Sequence, residues 1–162
     1  KGVSAMEIVT CELPAVSVIG MEGEAKPGHN PAAALWEKAN ARFGEVEPLA
    51  LRDENGAPVG ARGAMRDLSR QFLPWTDGFS RGLYLAGVQV PAHMEPPEGW
   101  TKWTLPAFAC LRVKVKGDYG AAFQAGLDEL ERRGLALAGA VQDCRRPAEG
   151  GQLYLFFPFK RP

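Results

Sequence analysis

Six aromatic side chains fall on stretches that read as strands, helices or the loops between them: Trp75, Tyr84, Phe108, Tyr119, Phe123 and Tyr154. Gathered around one cavity, they would offer flat apolar walls. A flat guest between such rings gains about 0.5–1.5 kcal/mol per contact beyond area burial. Met65, on a short predicted strand, is grouped with them as a lining residue. The polar floor of such a cavity would be Gln142 or Asp143, neighbours on one predicted strand. Successive strand residues point to opposite faces, so one of the two turns inward and a one-residue slip exchanges them. Asp143 inward would add an ion pair to cation–π attraction and favour cations. Gln142 inward would leave stacking and burial, favouring neutral ligands. Aromatic residues on strands serve a core more often than a ligand, so the argument rests on the set and not on any one ring.

Covalent chemistry has less support. The sequence contains no G-x-S-x-G elbow, no GxxxxGK[ST] loop, no GxGxxG and no HExxH. Ser4, Ser17, Ser69 and Ser80 have no local triad context. His29 and His93 are the only histidines, and neither has a Cys or His at ligand spacing, which argues against zinc. Cys11, Cys110 and Cys144 are widely spaced and odd in number, the pattern of small buried thiols in a reducing cytoplasm. No cofactor is implied.

Formal net charge is zero, without the basic footprint that phosphate neutralisation requires, so no direct nucleic-acid binding is expected. No stretch is long and apolar enough to span a bilayer as a helix, and no signal peptide is visible. With 162 residues, 46% of them hydrophobic, the chain is read as one domain, 1–162, with a core large enough to fold without staples. Whether Lys1–Ala5, ahead of Met6, are native is open at this point.

The elements that would position these residues follow from periodicity. Glu7 to Ala25 opens with a strand apolar on both faces. Asn30-Pro31 then starts a helix over about 31–43, with Leu35, Trp36, Ala39 and Phe43 at helical spacing and Gly44 as its stop; Trp36 is assigned to the core. Strands are predicted over 61–68 and 81–90, separated by a loop containing Pro74, Trp75 and Gly78. A proline-bearing linker over 91–99 follows. The second half then reads as a strand over 104–116, a helix over 119–133, a strand over 135–146, a hairpin loop and a strand over 152–160.

The two halves echo each other. Leu13-Pro14-Ala15 returns as Leu105-Pro106-Ala107, 92 positions on, and Leu83-Tyr84-Leu85 returns as Leu153-Tyr154-Leu155, 70 positions on. Element order repeats as well, which predicts an α+β fold of two β-α-β-β units, about 6–91 and 98–160, related by a pseudo-twofold axis, with antiparallel sheets and two helices around a central cleft. Tyr84 and Tyr154, equivalent in that alignment, would then face each other across the cleft.

Four stretches carry a family resemblance: Glu12 to Gly20; Pro97-Glu98-Gly99 through Leu105-Pro106-Ala107-Phe108-Ala109; Gly117-Asp118-Tyr119 before the second helix; and Leu153 to Phe159. In this order they resemble the GyrI-like small-molecule-binding family, the gyrase-inhibitory and effector-binding domains of multidrug-responsive transcription regulators. The resemblance implies two β-α-β-β repeats around a hydrophobic cleft. It also implies a glutamate on the penultimate strand that meets a cationic ligand; this sequence has Gly139-Ala140-Val141-Gln142-Asp143-Cys144 there, with Gln142 or Asp143 in its place. The leading expectation is a stand-alone effector-binding domain, with no DNA-binding segment ahead of its first strand, that binds a small apolar, aromatic molecule, neutral or cationic. Two other classes are carried: a small hydrolase of strained electrophiles using Tyr154 or Tyr84 with Asp143, and a module for a protein partner, a separate regulator or gyrase.

Overall fold

The computed structural model describes residues 7–161; Lys1–Met6, including the open question of the native start, lie outside them. In chain order the elements are β1 (Ile8–Leu13), β2 (Val16–Ala25), α1 (Ala32–Ala41), β3 (Ala61–Arg66), β4 (Gly82–Val90), β5 (Thr101–Leu105), β6 (Phe108–Lys114), α2 (Tyr119–Arg132), β7 (Gln142–Arg146) and β8 (Gln152–Lys160). Short 3-10 turns occupy Phe43–Glu45, Glu47–Leu49 and Pro147–Glu149. The fold is α+β, with the strands in one antiparallel sheet ordered β1-β6-β8-β7-β3-β4-β2-β5.

Each predicted leading strand is in fact two. Pro14 and Pro106 have no N–H for a ladder position, and the chain breaks at both Leu-Pro-Ala stretches. The pieces then exchange partners. β1 pairs with β6 of the other half, Cys11 opposite Cys110, while β5 pairs with β2, Trp103 opposite Val18. Read from either end, the strand order is the same under exchange of the halves, with the pseudo-twofold at the β3–β7 seam. Three residue pairs make that seam: Ala61–Arg145, Arg62–Cys144 and Gly63–Asp143. Within each half the last strand returns to its own leading strand, β4 to β2 and β8 to β6.

The helices lie on one sheet face. Asn30 Oδ1 accepts from Ala32 N–H at 2.9 Å to start α1, and the Asp118 carboxylate accepts from Ala121 N–H at 2.9 Å to start α2. α1 packs Leu35, Trp36 and Ala39 on Ile19, Met21, Tyr84 and Val88. α2 packs Ala122, Phe123, Leu127 and Leu130 on Leu111, Val113, Leu155 and Phe157. Gly126 permits this docking, because a Cβ there would strike the Phe157 ring. Pro158 sits in β8 beside the register shift at Ala109/Cys110 and beyond the last β7 pair, Gln142–Phe156, where a missing N–H costs least. β7 is shorter than the predicted 135–146. Leu135 and Leu137 instead fill the core beneath α2, and Ala138 N–H donates to the Pro158 carbonyl at 2.8 Å.

The opposite face holds two further clusters. One gathers Val18, Leu85, Trp103 and Leu105, the other Phe108, Cys110, Cys144, Tyr154 and Phe156. Phe72, from the loop between β3 and β4, packs against both.

Candidate functional site

On the helix-bearing face, over the β3–β7 seam, lies a cavity of about 740 Å³. This volume suits a drug-sized ligand. α1 supplies Trp36, with Ala32 and Asn40 one turn to either side, and α2 supplies Tyr119 and Phe123. Its floor is Met65 on β3, Tyr84 on β4, and Asp143 and Arg145 on β7. The β3–β4 loop adds Trp75 and Phe79.

These positions are locked from behind. Trp36 Nε1 donates to the Tyr84 hydroxyl at 2.9 Å, tying α1 to the floor. Trp75 Nε1 donates to the Leu83 carbonyl at 3.1 Å. Phe79 meets Phe123 edge to face, with ring centroids 5.5 Å apart, so loop and α2 touch across the cavity edge. Gly63 is required beneath them: a side chain there would collide with both the Tyr84 hydroxyl and the Asp143 carboxylate.

Asp143 is the carboxylate of the cavity. Oδ1 accepts from Gly63 N–H at 3.0 Å, and Oδ2 accepts a long hydrogen bond from the Tyr119 hydroxyl at 3.4 Å. Among the described residues it makes no ion pair. Burial raises its pKa to about 6, outweighing the Gly63 N–H, the Tyr119 hydroxyl and the more distant Arg145 and Arg62. Burial first, then the nearby Asp143 charge, pushes the Tyr84 and Tyr119 hydroxyls up as well, so both stay neutral donors. The site is thus an aromatic chamber with one acidic group that makes no ion pair among the described residues. Among the described residues no group of three His, Cys, Asp or Glu side chains is placed to hold a metal ion.

Met65, Trp75, Tyr84, Tyr119, Phe123 and Asp143 all line this cavity. Phe108, Gln142 and Tyr154 do not, which corrects the set drawn from sequence. Gln142 and Phe108 are buried on the other side of the sheet, where Phe108 packs in the Cys110–Phe156 cluster. Tyr154 is there too, between the Arg112 and Arg146 guanidiniums, each 4.7 Å from its ring centre, and its hydroxyl donates to Glu149 at 2.5 Å. The reason is a slip of one residue. Ile19 faces Val88 as Leu111 faces Phe157, and Met21 faces Ala86 as Val113 faces Leu155. The position matching Tyr84 is therefore Leu153, which does line the cavity, and Tyr154 falls on the opposite face. This also removes Tyr154 as a catalytic partner for Asp143.

Trp36, Phe79 and Arg145 were not among the predicted lining residues. For Trp36 the signal was present: Ala32, Trp36 and Asn40 form an i, i+4 stripe. Arg145 follows from strand alternation once Asp143 faces inward. Phe79 lies in an irregular loop whose conformation has no periodicity to read.

No protein-family model matches this sequence, and neither does any curated protein. Solved structures do. The EcmrR C-terminal domain superposes with a TM-score of 0.64 at 13% identity, covering 98% of this chain and 100% of that one. EcmrR in its DNA complex superposes with a TM-score of 0.66 at 11% identity; 99% of this chain is covered, and it spans 59% of the EcmrR chain. SAV2435 bound to tetraphenylphosphonium superposes with a TM-score of 0.60 at 14% identity, covering 96% of this chain and 94% of that one. The chain has the fold these proteins share. Among the described residues no helix is long and apolar enough to cross a membrane.

Proposed function

We propose that this chain is an effector-binding domain of the GyrI-like kind, which takes up a small aromatic cation in the cavity between α1 and α2. The observation that carries the reading is the Asp143 carboxylate, without an ion-pair partner among the described residues, on the floor of an aromatic chamber. A carboxylate costs free energy in such a place unless something offsets it, and a desolvated organic cation does so without needing a hydrogen bond. The Leu-Pro-Ala entries, the Gly117-Asp118-Tyr119 turn and the fold shared with tetraphenylphosphonium-bound SAV2435 support the reading. In such a role the domain would sense or sequester its ligand, with any regulator or other protein partner acting outside the cavity.

Titration with tetraphenylphosphonium, followed by the fluorescence of Trp36 and Trp75, tests it. Saturable quenching is expected. Asp143→Asn should weaken the cation by roughly 2 kcal/mol, about 30-fold, because one member of a desolvated charge pair is lost. A neutral aromatic of the same shape should barely change. Equal losses for both would remove the ion pair from the proposal.

A further inference from the structure

The cavity is not uniformly acidic. Arg145 shares its lining, two positions along β7 from Asp143 and on the same side of that strand. Among the described residues the two side chains form no ion pair, and the only hydrogen bond of the Arg145 guanidinium is a 3.3 Å contact to the Gly151 carbonyl. Asp143 is drawn in against Gly63 and Tyr119, whereas Arg145 is solvent-exposed. Arg145 and Leu153 also border a second, shallower hollow of about 300 Å³, formed with Gln152, the Gly150-Gly151 turn and Glu149, whose carboxylate is already engaged by Arg146 and the Tyr154 hydroxyl. The lining therefore runs from a carboxylate among rings to a guanidinium beside an open polar recess. A simple lipophilic cation engages the first and is repelled by the second.

We infer that the preferred ligand is amphoteric: an aromatic body whose cationic part sits against Asp143 and whose acidic substituent reaches Arg145 at the cavity mouth. This rests on the effector-binding reading above and narrows it to a ligand class. An acidic substituent has solvent access there, so it keeps much of its hydration while pairing with the guanidinium. The recess beyond Leu153 gives it room.

Rhodamine 123 and rhodamine 110 make the test, since they share a cationic xanthene and differ in a methyl ester against a free carboxylate. At pH 7.5 the free acid should bind the wild-type protein about three- to fivefold more tightly, the scale of one exposed ion pair. Arg145→Ala should bring that ratio to about one, and Arg145→Lys should keep most of it. Arg145 is exposed, so neither substitution threatens folding, and the thermal midpoint verifies this. Rhodamine 110 binding no better than rhodamine 123, or a preference that survives Arg145→Ala, overturns the inference while leaving the cationic site standing. Failure of both dyes to bind removes the cavity reading and this inference with it.

Discussion

Asp67 and Asp143 are two carboxylates set back from solvent, and the protein treats them in opposite ways. Asp67 closes the start of the β3–β4 loop. It accepts from the backbone N–H groups of Ser69, Gln71 and Leu73 and from the Ser69 hydroxyl. Burial alone would raise its pKa, but these donors together hold it below the ordinary carboxylate range. Asp143 has one backbone donor and one long hydroxyl contact, and burial wins, at about 6. The first carboxylate is spent on structure: it holds a loop in which Arg70, Phe72, Asp77 and Phe79 all have positive φ, and it thereby presents Trp75 and Phe79 to the cavity. The second is left with fewer partners, which suits the binding role proposed for it. Burial and donor count together set the two acids apart: Asp67 has four donors to offset its burial and Asp143 has two.

The largest effect expected from breaking this contrast is on stability. Asp67→Asn places an amide N–H₂ against donors that need an acceptor, and should cost about 2 kcal/mol of unfolding free energy. Asp143→Asn should be neutral or stabilising, since it removes a charge whose burial is unfavourable. Urea denaturation of both variants measures the difference, and equal losses would erase the distinction.

The next effect is on pH dependence, where the signs oppose. A raised folded-state pKa means that the folded protein holds the proton more tightly. Asp143 therefore lowers stability as pH rises from about 4 towards 6, with no further change above. Asp67, with a depressed pKa, adds stability above its unfolded value and loses it as pH falls through the folded one. If the proposed site is correct, tetraphenylphosphonium pairs with the ionised Asp143 and its affinity should fall about tenfold between pH 7.5 and pH 5. An affinity flat over that range would place the cation away from Asp143.

The smallest effect concerns the Tyr119 hydroxyl. Its contact with Asp143 is long, and Tyr119→Phe should raise the midpoint of the pH–affinity curve by only a few tenths of a unit. A shift of more than one unit would show that Tyr119 carries more of the Asp143 environment than its geometry indicates.

Much of this was legible in the residues. Helical spacing located α1 and α2 to within a few positions, and alternation located β4 and β8, because each has a face that must be buried. The Leu-Pro-Ala stretches read as entries to the strands that follow them, and the short strands that precede them, β1 and β5, leave no separate signal. Their prolines mark the points where each half hands a strand to the other, and pairing between distant segments leaves no local trace. The polar floor could not be read because Gln142 and Asp143 are neighbours, and only the register with Gly63 decides between them. Tyr154 was misplaced through an attractive identity match: Leu-Tyr-Leu aligns by letter with Leu-Tyr-Leu, yet the ladders align Tyr84 with Leu153. Trp36 was assigned to the core, and it is both packed there and exposed to the cavity.

The exchanged strands have a consequence for how the chain is made. β1 is complete as soon as Leu13 emerges from the ribosome, but its ladder partner begins at Phe108, and Val16 of β2 waits for Leu105. Until then the first half carries one strand with nothing to pair with and another with an open edge, the kind of surface that recruits strands from other molecules. Contacts of such sequence separation also make folding slow, since the loop-closure entropy comes before the reward. The exchange of β1 and β5 between the halves therefore brings a long interval of exposed strand edges during synthesis.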